Sequence, residues 1–208
     1  MLRSVRIAKR AIDLVGGAIG LVLSAPLLPI IAAAIYIDSP GPVLFRQRRA
    51  GSLKSSTNSN GRRTLVFDEF DMHKFRTMVP DAEARTGIVV AGVDDPRITR
   101  VGRFLRKSRL DELPQFWDVL RGKMSIVGPR PERPHFVSKF ADEYPGYHDR
   151  HRVPVGLTGF AAVNGLRGDT SIAERVEFDN LYIETWSLWL DVKIVIRTFA
   201  AVFRRTGS

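Results

Sequence analysis

No cysteine occurs among the 208 residues. That excludes disulfides, thiolate nucleophiles and Cys-ligated zinc or iron–sulfur centres. Histidine is scarce as well. His73, His135, His148 and His151 are the four in the chain, and none belongs to a His-Glu-x-x-His pattern. His148 and His151 stand three apart and could share a helix face, but in so basic a segment they read as surface histidines rather than metal ligands. Acidic residues number 22 against 32 lysines and arginines, a formal net charge of +10. Such an excess favours an anionic partner: nucleic acid, acidic lipid headgroups or a phosphorylated substrate. No helix-turn-helix, zinc or RNA-recognition signature and no internal repeat is visible, so no nucleic-acid partner is expected. At 44% hydrophobic and 26% charged residues the chain is not disordered, and its length suffices for one domain with a core.

What the chain does have is a long apolar run over 11–37, AIDLVGGAIGLVLSAPLLPIIAAAIYI, in which Asp13 is the only acid or base besides Tyr36. It is too long for a cleaved signal sequence. As one straight helix it would reach roughly 40 Å, more than the ~30 Å hydrocarbon core of a bilayer. Pro26 and Pro29 remove the donors due to the carbonyls of Val22 and Ala25. Ser24 can offer its hydroxyl to a freed carbonyl. A break at Ser24 and Pro26 leaves halves of ~20 Å, each too short to span. Arg3, Arg6, Lys9 and Arg10 precede the run, and Arg46, Arg48 and Arg49 follow it. Positive flanks prefer the cytoplasm, and here both flanks are positive. These features predict a re-entrant helix–break–helix, with a kinked single span as the alternative.

Asp38-Ser-Pro-Gly-Pro is a turn cluster, and 43–49 is strand-like. Residues 51–63, GSLKSSTNSNGRR, are polar and aperiodic and read as a mobile loop. Phe67, Phe70, Met72 and Phe75 are expected to be buried, and 80–87 forms a short helix. Thr99 suits the N-cap of a helix carrying Val101, Phe104 and Leu105. Pro114 and Gly122 suit the two ends of another. A proline-dense rigid turn covers 127–134, a loop or short helix 144–152, a strand-like stretch 155–163 and a helix 172–186. The tail over 189–205 alternates apolar and charged residues, as an amphipathic helix does on a membrane surface or against a core.

Asp111 and Glu112 are adjacent carboxylates expected at a helix N-terminus, where the dipole and orphan N–H groups favour ionised carboxylates and bound phosphate. Arg103, Arg106, Lys107, Arg109, Arg130 and Arg133 lie around them in sequence. A pyrophosphate substrate needs such a mixture, because cations must offset the repulsion between phosphate and an attacking oxyanion. An aspartate can then attack phosphorus while a neighbouring glutamate holds Mg²⁺. By residue type alone the pair also reads as a helix cap, and the basic stretch as a solvated or lipid-facing surface.

The motifs run in a fixed order: Lys9-Arg-Ala-Ile-Asp13, the broken apolar segment, Asp38-Ser-Pro-Gly-Pro-Val-Leu-Phe-Arg-Gln-Arg-Arg, Lys74-Phe-Arg-Thr-Met78, Asp95-Pro-Arg-Ile-Thr-Arg-Val-Gly-Arg, Leu110-Asp-Glu-Leu-Pro-Gln, Val127-Gly-Pro-Arg-Pro-Glu132, Val155-Gly-Leu-Thr-Gly and Asp179-Asn-Leu-Tyr. Over nearly its whole length the chain thereby resembles the bacterial sugar transferase domain of the small monotopic polyprenyl-phosphate phosphoglycosyl transferases, without the extra multi-span region of the large ones. The resemblance implies an α+β, mainly helical fold. It has a re-entrant membrane hairpin over 1–40 and a cytoplasmic catalytic domain over 41–208, with an interfacial helix at 189–205. It implies a bacterial inner-membrane enzyme with its catalytic domain on the cytoplasmic face. Asp111 would be the nucleophile toward a UDP-sugar and Glu112 the Mg²⁺ ligand, with UMP released and undecaprenyl phosphate as acceptor. Lys74, Arg76, Arg103, Arg130 and Asp179 are the candidates for phosphate or nucleotide contacts. Membrane lipids are further partners, and a homo-oligomer is compatible. The chain departs from the family pattern at Ser24-Ala25-Pro26, where Ser and Pro are usually adjacent, and at 51–63, where the family has a shorter turn. The rival reading is a non-catalytic membrane-bound scaffold of polysaccharide export.

Overall fold

The computed structural model describes residues 3–59, 62–87, 95–168 and 170–206. Helix α1 (Arg3–Ser24) and helix α2 (Leu27–Asp38) meet at a bend of 59°, where sequence reasoning put the break. Pro26 supplies no N–H to this junction. Its carbonyls are served instead by Ala25 N, 2.9 Å from Leu21 O and 3.3 Å from Val22 O, and by Ser24 Oγ, which donates to Leu21 O at 3.1 Å. Among the described residues no single helix is long and apolar enough to cross a membrane, while the bent pair meets that test together.

The rest of the chain is mixed α and β. Strands β1 (Leu44–Ser59) and β2 (Arg62–Phe75) form an antiparallel hairpin. Short helices α3 (Ala82–Thr86), α4 (Arg100–Ser108) and α5 (Gln115–Leu120) follow, with a 3₁₀ turn at Leu110–Glu112 between the last two. Then come β3 (Ser125–Val127), α6 (Pro134–Glu143), a 3₁₀ segment at Tyr147–Arg152, β4 (Gly156–Thr158), α7 (Phe160–Val163), α8 (Ile172–Glu184) and α9 (Leu188–Thr206). Thr99 caps α4 as expected, its Oγ1 accepting from Gly102 N at 3.0 Å.

Three sequence expectations need correction. Over its described residues the stretch 51–63, expected as a loop, is strand; 60–61 lie outside the described residues. Residues through Ser59 continue β1, Arg62 already belongs to β2, and the register shifts between Ala50 and Ser55. A Ser/Thr/Asn tract carries no apolar alternation, so its pairing is invisible to periodicity and is set by the partner strand. The strand-like 155–163 is a strand only over Gly156–Thr158 and then turns into α7. His151 is not on the surface: it is fully buried, its Nδ1 lies 2.8 Å from Gly51 O, and burial lowers its pKa to about 4.

Phe70 and Met72 pack on Val119, Met124 and Val155, and Phe75 joins Ile31, Ile35 and Leu105. The inner face of α2 is therefore part of the same core as the hairpin. On the other side β3 and β4 run parallel, pairing Ser125 with Gly156 and Val127 with Thr158. Glycine is required where they cross: a Cβ on Gly128 would lie 2.3 Å from Pro154 O, and one on Gly156 2.1 Å from Gly128 N.

Polar side chains of α1 fasten it to this body. Arg10 donates to Val119 O at 2.6 Å and Leu120 O at 2.7 Å, at the end of α5. Asp13 Oδ1 accepts from Ser125 Oγ and Ile126 N, each at 2.8 Å. Lys9 Nζ lies 2.8 Å from Asp191 Oδ2 and 3.1 Å from Tyr182 OH, with both charged groups buried. Removing one partner of a buried pair strands the other charge. Lys9→Met should therefore cost about 3–5 kcal/mol, and the double variant with Asp191→Asn, which removes the charge but keeps an acceptor for Tyr182 OH, should recover part of that loss. Thermal unfolding followed by tryptophan fluorescence tests this; a Lys9→Met protein as stable as the parent contradicts it.

Candidate active site

Helix α4 ends at Arg109, whose backbone is left-handed at φ 63°. A non-glycine residue pays about 1–2 kcal/mol for that conformation. The reversal turns the chain into the Leu110–Glu112 turn and brings Arg109 Nη1 within 3.9 Å of Glu112 Oε1. Asp111 and Glu112 are both nearly buried, at 8% exposure each. The expected place at a helix N-terminus is corrected: the pair sits in the 3₁₀ turn ahead of α5, whose N-cap is Pro114 and whose end is followed by Gly122 in the left-handed region.

Two distant segments complete the charge arrangement. Arg130, just after β3, donates from Nη2 to Glu112 Oε1 at 2.8 Å. Lys74, near the end of β2, lies close enough to feel Arg130, Glu112, Arg49 and Asp111. Desolvation, with Arg130 as the strongest like charge, brings the Lys74 ammonium down to about 8. Burial alone would raise the Glu112 carboxyl, but Arg130, Lys74 and Arg109 outweigh it and hold Glu112 below the usual carboxylate range. Asp111 goes the other way: burial first, then the Glu112 charge, push it up. Two adjacent carboxylates thus acquire different proton affinities. Asp111 Oδ1 is buried and has no hydrogen-bond partner, which is unusual for a buried acceptor. Gln115 Nε2, four residues on, is likewise buried without a partner.

Among the sequence candidates, Asp111, Glu112, Lys74 and Arg130 converge. Arg76 does not join them: its guanidinium hydrogen-bonds Ser39 O and reaches Pro40 O at 3.5 Å, clasping the exit from α2. A motif-borne arginine here serves the fold because two carbonyls in a proline-rich turn have no backbone donors to take. Arg103 is exposed on α4 and takes no part in these contacts. Asp179 is buried and paired with Arg150, whose Nη2 and Nε lie 2.7 and 3.0 Å from Oδ2. Arg150 Nη2 also donates to Arg130 O at 3.2 Å, so Asp179 acts on the site at one remove.

Sequence reasoning missed Arg49 and Arg150. Arg49 donates to Pro131 O at 2.8 Å and to Gln47 Oε1, and it faces Glu132 Oε2 at 3.9 Å. It thereby steadies the Pro129–Pro131 turn from the hairpin side. Its pKa falls to about 10 through burial and the neighbouring Arg130. Alternation along β1 could have placed Arg49 with Gln47 on the face opposite exposed Arg48. Nothing in the run Asp149-Arg-His-Arg marks Arg150 as fully buried.

Among the described residues no group of three or more His, Asp or Glu side chains could hold a metal. A divalent cation at this site would have at most the two adjacent carboxylates as protein ligands. Mg²⁺ sites of that kind are common, with water and substrate phosphates filling the other positions. The unpartnered Asp111 Oδ1 fits such a group.

A carboxylate pair within a ring of lysine and arginine, built on the Asp-Glu-Leu-Pro-Gln and Gly-Pro-Arg-Pro segments, defines the class: the chain belongs to the bacterial sugar transferase family, which residues 4–205 match. Among its relatives is the UDP-glucose:undecaprenyl-phosphate glucose-1-phosphate transferase of Escherichia coli (strain K12), 44% identical over 197 residues, which are 93% of this chain and 39% of that protein. A protein of the same name from Caulobacter vibrioides is 44% identical over 205 residues, covering 94% of this chain and 69% of the relative. The UDP-N-acetylgalactosamine-undecaprenyl-phosphate N-acetylgalactosaminephosphotransferase of Aeromonas hydrophila is 41% identical over 202 residues, 96% of this chain and 44% of that protein. The chain thus spans well under half the length of the first and third of these relatives.

The opposed shifts of Asp111 and Glu112 make opposite demands on stability. A carboxyl raised on folding destabilises the fold as pH climbs from its unfolded value, 3.8 for Asp111, through the folded one. A carboxyl lowered on folding stabilises it above its unfolded value, 4.5 for Glu112, and that contribution fades in acid. At about pH 8, Asp111→Asn should raise Tm by a few degrees and Glu112→Gln should lower it. Both differences should shrink as the pH falls, and equal shifts for the two variants would contradict the assignment.

Proposed function

We propose that this chain transfers a sugar phosphate from a UDP-sugar to undecaprenyl phosphate, with Asp111 as the covalent nucleophile. The observation that carries the reading is a buried Asp111 oxygen without a partner, beside a Glu112 already satisfied by Arg130. The names of the relatives from E. coli, Caulobacter and Aeromonas support the substrate classes. Because those names cite different sugars, the sugar is left to experiment.

In the first step the Asp111 carboxylate forms a bond to the sugar-linked phosphorus. The phosphoanhydride bond breaks, and its electron pair leaves with UMP. In the second step an oxygen of undecaprenyl phosphate attacks the same phosphorus, the acyl phosphate bond breaks, and Asp111 regains its charge. Lys74 and Arg130 bind and orient the non-bridging phosphate oxygens, and Arg130 also holds Glu112 still. Desolvation around Asp111 raises its nucleophilicity, and the nearby cations keep enough of it ionised to react. Mg²⁺, held by Glu112, would neutralise charge on the diphosphate.

We read α1 and α2 as a re-entrant hairpin, with the break at Ser24 and Pro26 inside the bilayer. Val22 and Leu23 beside the break are 70% and 72% exposed, and Ile19, Ile30 and Ile37 are exposed too. Apolar surface of that extent suits lipid. On α9, Trp189, Val192, Ile196 and Phe199 form a second exposed apolar face, with Lys193 Nζ 5.6 Å from the Trp189 ring centre. Phe104 of α4, which contacts both α2 and α9, is exposed as well. These elements make an interfacial surface of the inner membrane, with the catalytic body on the cytoplasmic side.

Two tests follow. Asp111→Asn should cut UMP release from a UDP-sugar panel by at least about a thousandfold while the protein still folds and inserts. Chelation of Mg²⁺ should silence the parent reversibly. UMP release that survives Asp111→Asn removes Asp111 as nucleophile, and no Mg²⁺-dependent release with any UDP-sugar favours the scaffold reading. Topology can be read cleanly because the chain has no cysteine of its own. Single cysteines introduced near Arg3 and Arg46 should both stay unlabelled by an impermeant maleimide on intact cells, whereas labelling at one flank only would mean a span.

A further inference from the structure

A second basic cleft shares none of its lining with Lys74, Asp111, Glu112 or Arg130. The base of the hairpin and the end of α5 enclose a cleft of about 280 Å³, lined by Arg46, Arg48, His73, Asp118, Arg121 and Lys123 among others. Asp118 is consumed within it: it accepts His73 N at 2.9 Å and lies 2.7 Å from His73 Nδ1. Arg48 is consumed too, lying 3.0 Å from Glu69 and 3.6 Å from Asp71. Arg46, Arg121 and Lys123 are exposed, and no carboxylate among the described residues pairs with them. Four Lys and Arg side chains and three carboxylates thus line the cleft; Glu69 and Asp71 share Arg48 and Asp118 contacts His73, which leaves Arg46, Arg121 and Lys123 on the rim without a carboxylate contact.

The position of the cleft says which anion reaches it. Arg10 of α1 grips the carbonyls of Val119 and Leu120, immediately before Arg121. Arg10 is the last basic residue before the apolar run. With the break inside the bilayer, α1 leaves the hydrocarbon there, which puts Arg10 and the adjoining rim at headgroup level. Trp117, one helical turn before Arg121, is 50% exposed. An exposed tryptophan beside unpaired basic residues is the composition of a membrane–water boundary.

We propose that this cleft binds the phosphate headgroup of an anionic phospholipid, separately from the substrate site. The inference rests on the re-entrant reading of α1 and α2 for its geometry. Arg46, Arg121 and Lys123 contact the phosphate, and Trp117 lies along the glycerol region. The bound lipid fixes the rotation of α5, and hence of the turn carrying Asp111 and Glu112, relative to the bilayer surface.

The test uses the full chain, delipidated in detergent, with phosphatidylglycerol and phosphatidylcholine as competing probes counted by native mass spectrometry. The parent should retain phosphatidylglycerol in preference. The triple variant Arg46→Gln, Arg121→Gln, Lys123→Gln should lose that preference by on the order of tenfold. A control with the same charge removed elsewhere, Lys54→Gln, Lys139→Gln, Arg152→Gln, should keep it. UMP release by the cleft variant in all-phosphatidylcholine nanodiscs should match the parent. A cleft variant that keeps the preference, a control that loses it equally, or displacement of the lipid by a UDP-sugar each overturns the proposal. Lipid counting needs neither turnover nor a topology, so failure of the enzymatic or re-entrant reading would register separately, in the assays given for those.

Discussion

The contact between Arg130 Nη2 and Glu112 Oε1, 2.8 Å long, is the interaction on which the site depends. Adjacent backbone positions force two carboxylates into one poorly solvated space, and two like charges there repel. A guanidinium bound to one of them resolves the conflict asymmetrically. Glu112 is held ionised and fixed, while Asp111 keeps an unused oxygen and a raised proton affinity. Without Arg130, the remaining cations Lys74 and Arg109 would leave the pair closer to equivalent, with neither carboxylate fixed.

Arg130 in turn is held by its backbone. Gly156 N donates to Pro129 O at 2.8 Å, Arg150 donates to Arg130 O, and Arg49 donates to Pro131 O. Three successive carbonyls of the turn are thus bonded from three directions. Prolines on both sides of Arg130 limit its φ and ψ further. The fully buried Arg150 can serve this purpose because Asp179, Tyr147 and Glu132 surround it, and the Asp179 carboxylate holds it firmly charged. Placing an ionic network beneath this turn spends stability on geometry, since buried pairs seldom improve on apolar packing.

The same economy joins the apolar hairpin to the body. Lys9, Arg10 and Asp13 lie within five residues of α1 and reach α9, α5 and β3 respectively. On the proposed re-entrant reading, a helix whose other face meets lipid gains little from further apolar contact, and polar contacts supply the orientation. The bent apolar pair and the carboxylate turn therefore share α5 as a common rigid element.

Sequence alone determined what depends on local chemistry. Pro26 and Ser24 dictate a break, Thr99 a cap, Pro114 and Gly122 the ends of a helix, and Asp111 with Glu112 a carboxylate pair. Those effects act within a few residues, so spacing exposes them. Tertiary structure decided whatever a side chain does across the chain. Arg76 and Arg130 both sit in motifs, yet one clasps carbonyls at the exit of α2 and the other meets Glu112. Asp179 pairs with Arg150, and His151 is buried under Gly51. The polar stretch up to Ser59 is strand because its partner strand supplies hydrogen bonds that its own composition does not announce. An arginine or a histidine has the same formula in each of these places, and only the groups brought to it by distant segments decide whether it holds a backbone, a carboxylate or a substrate.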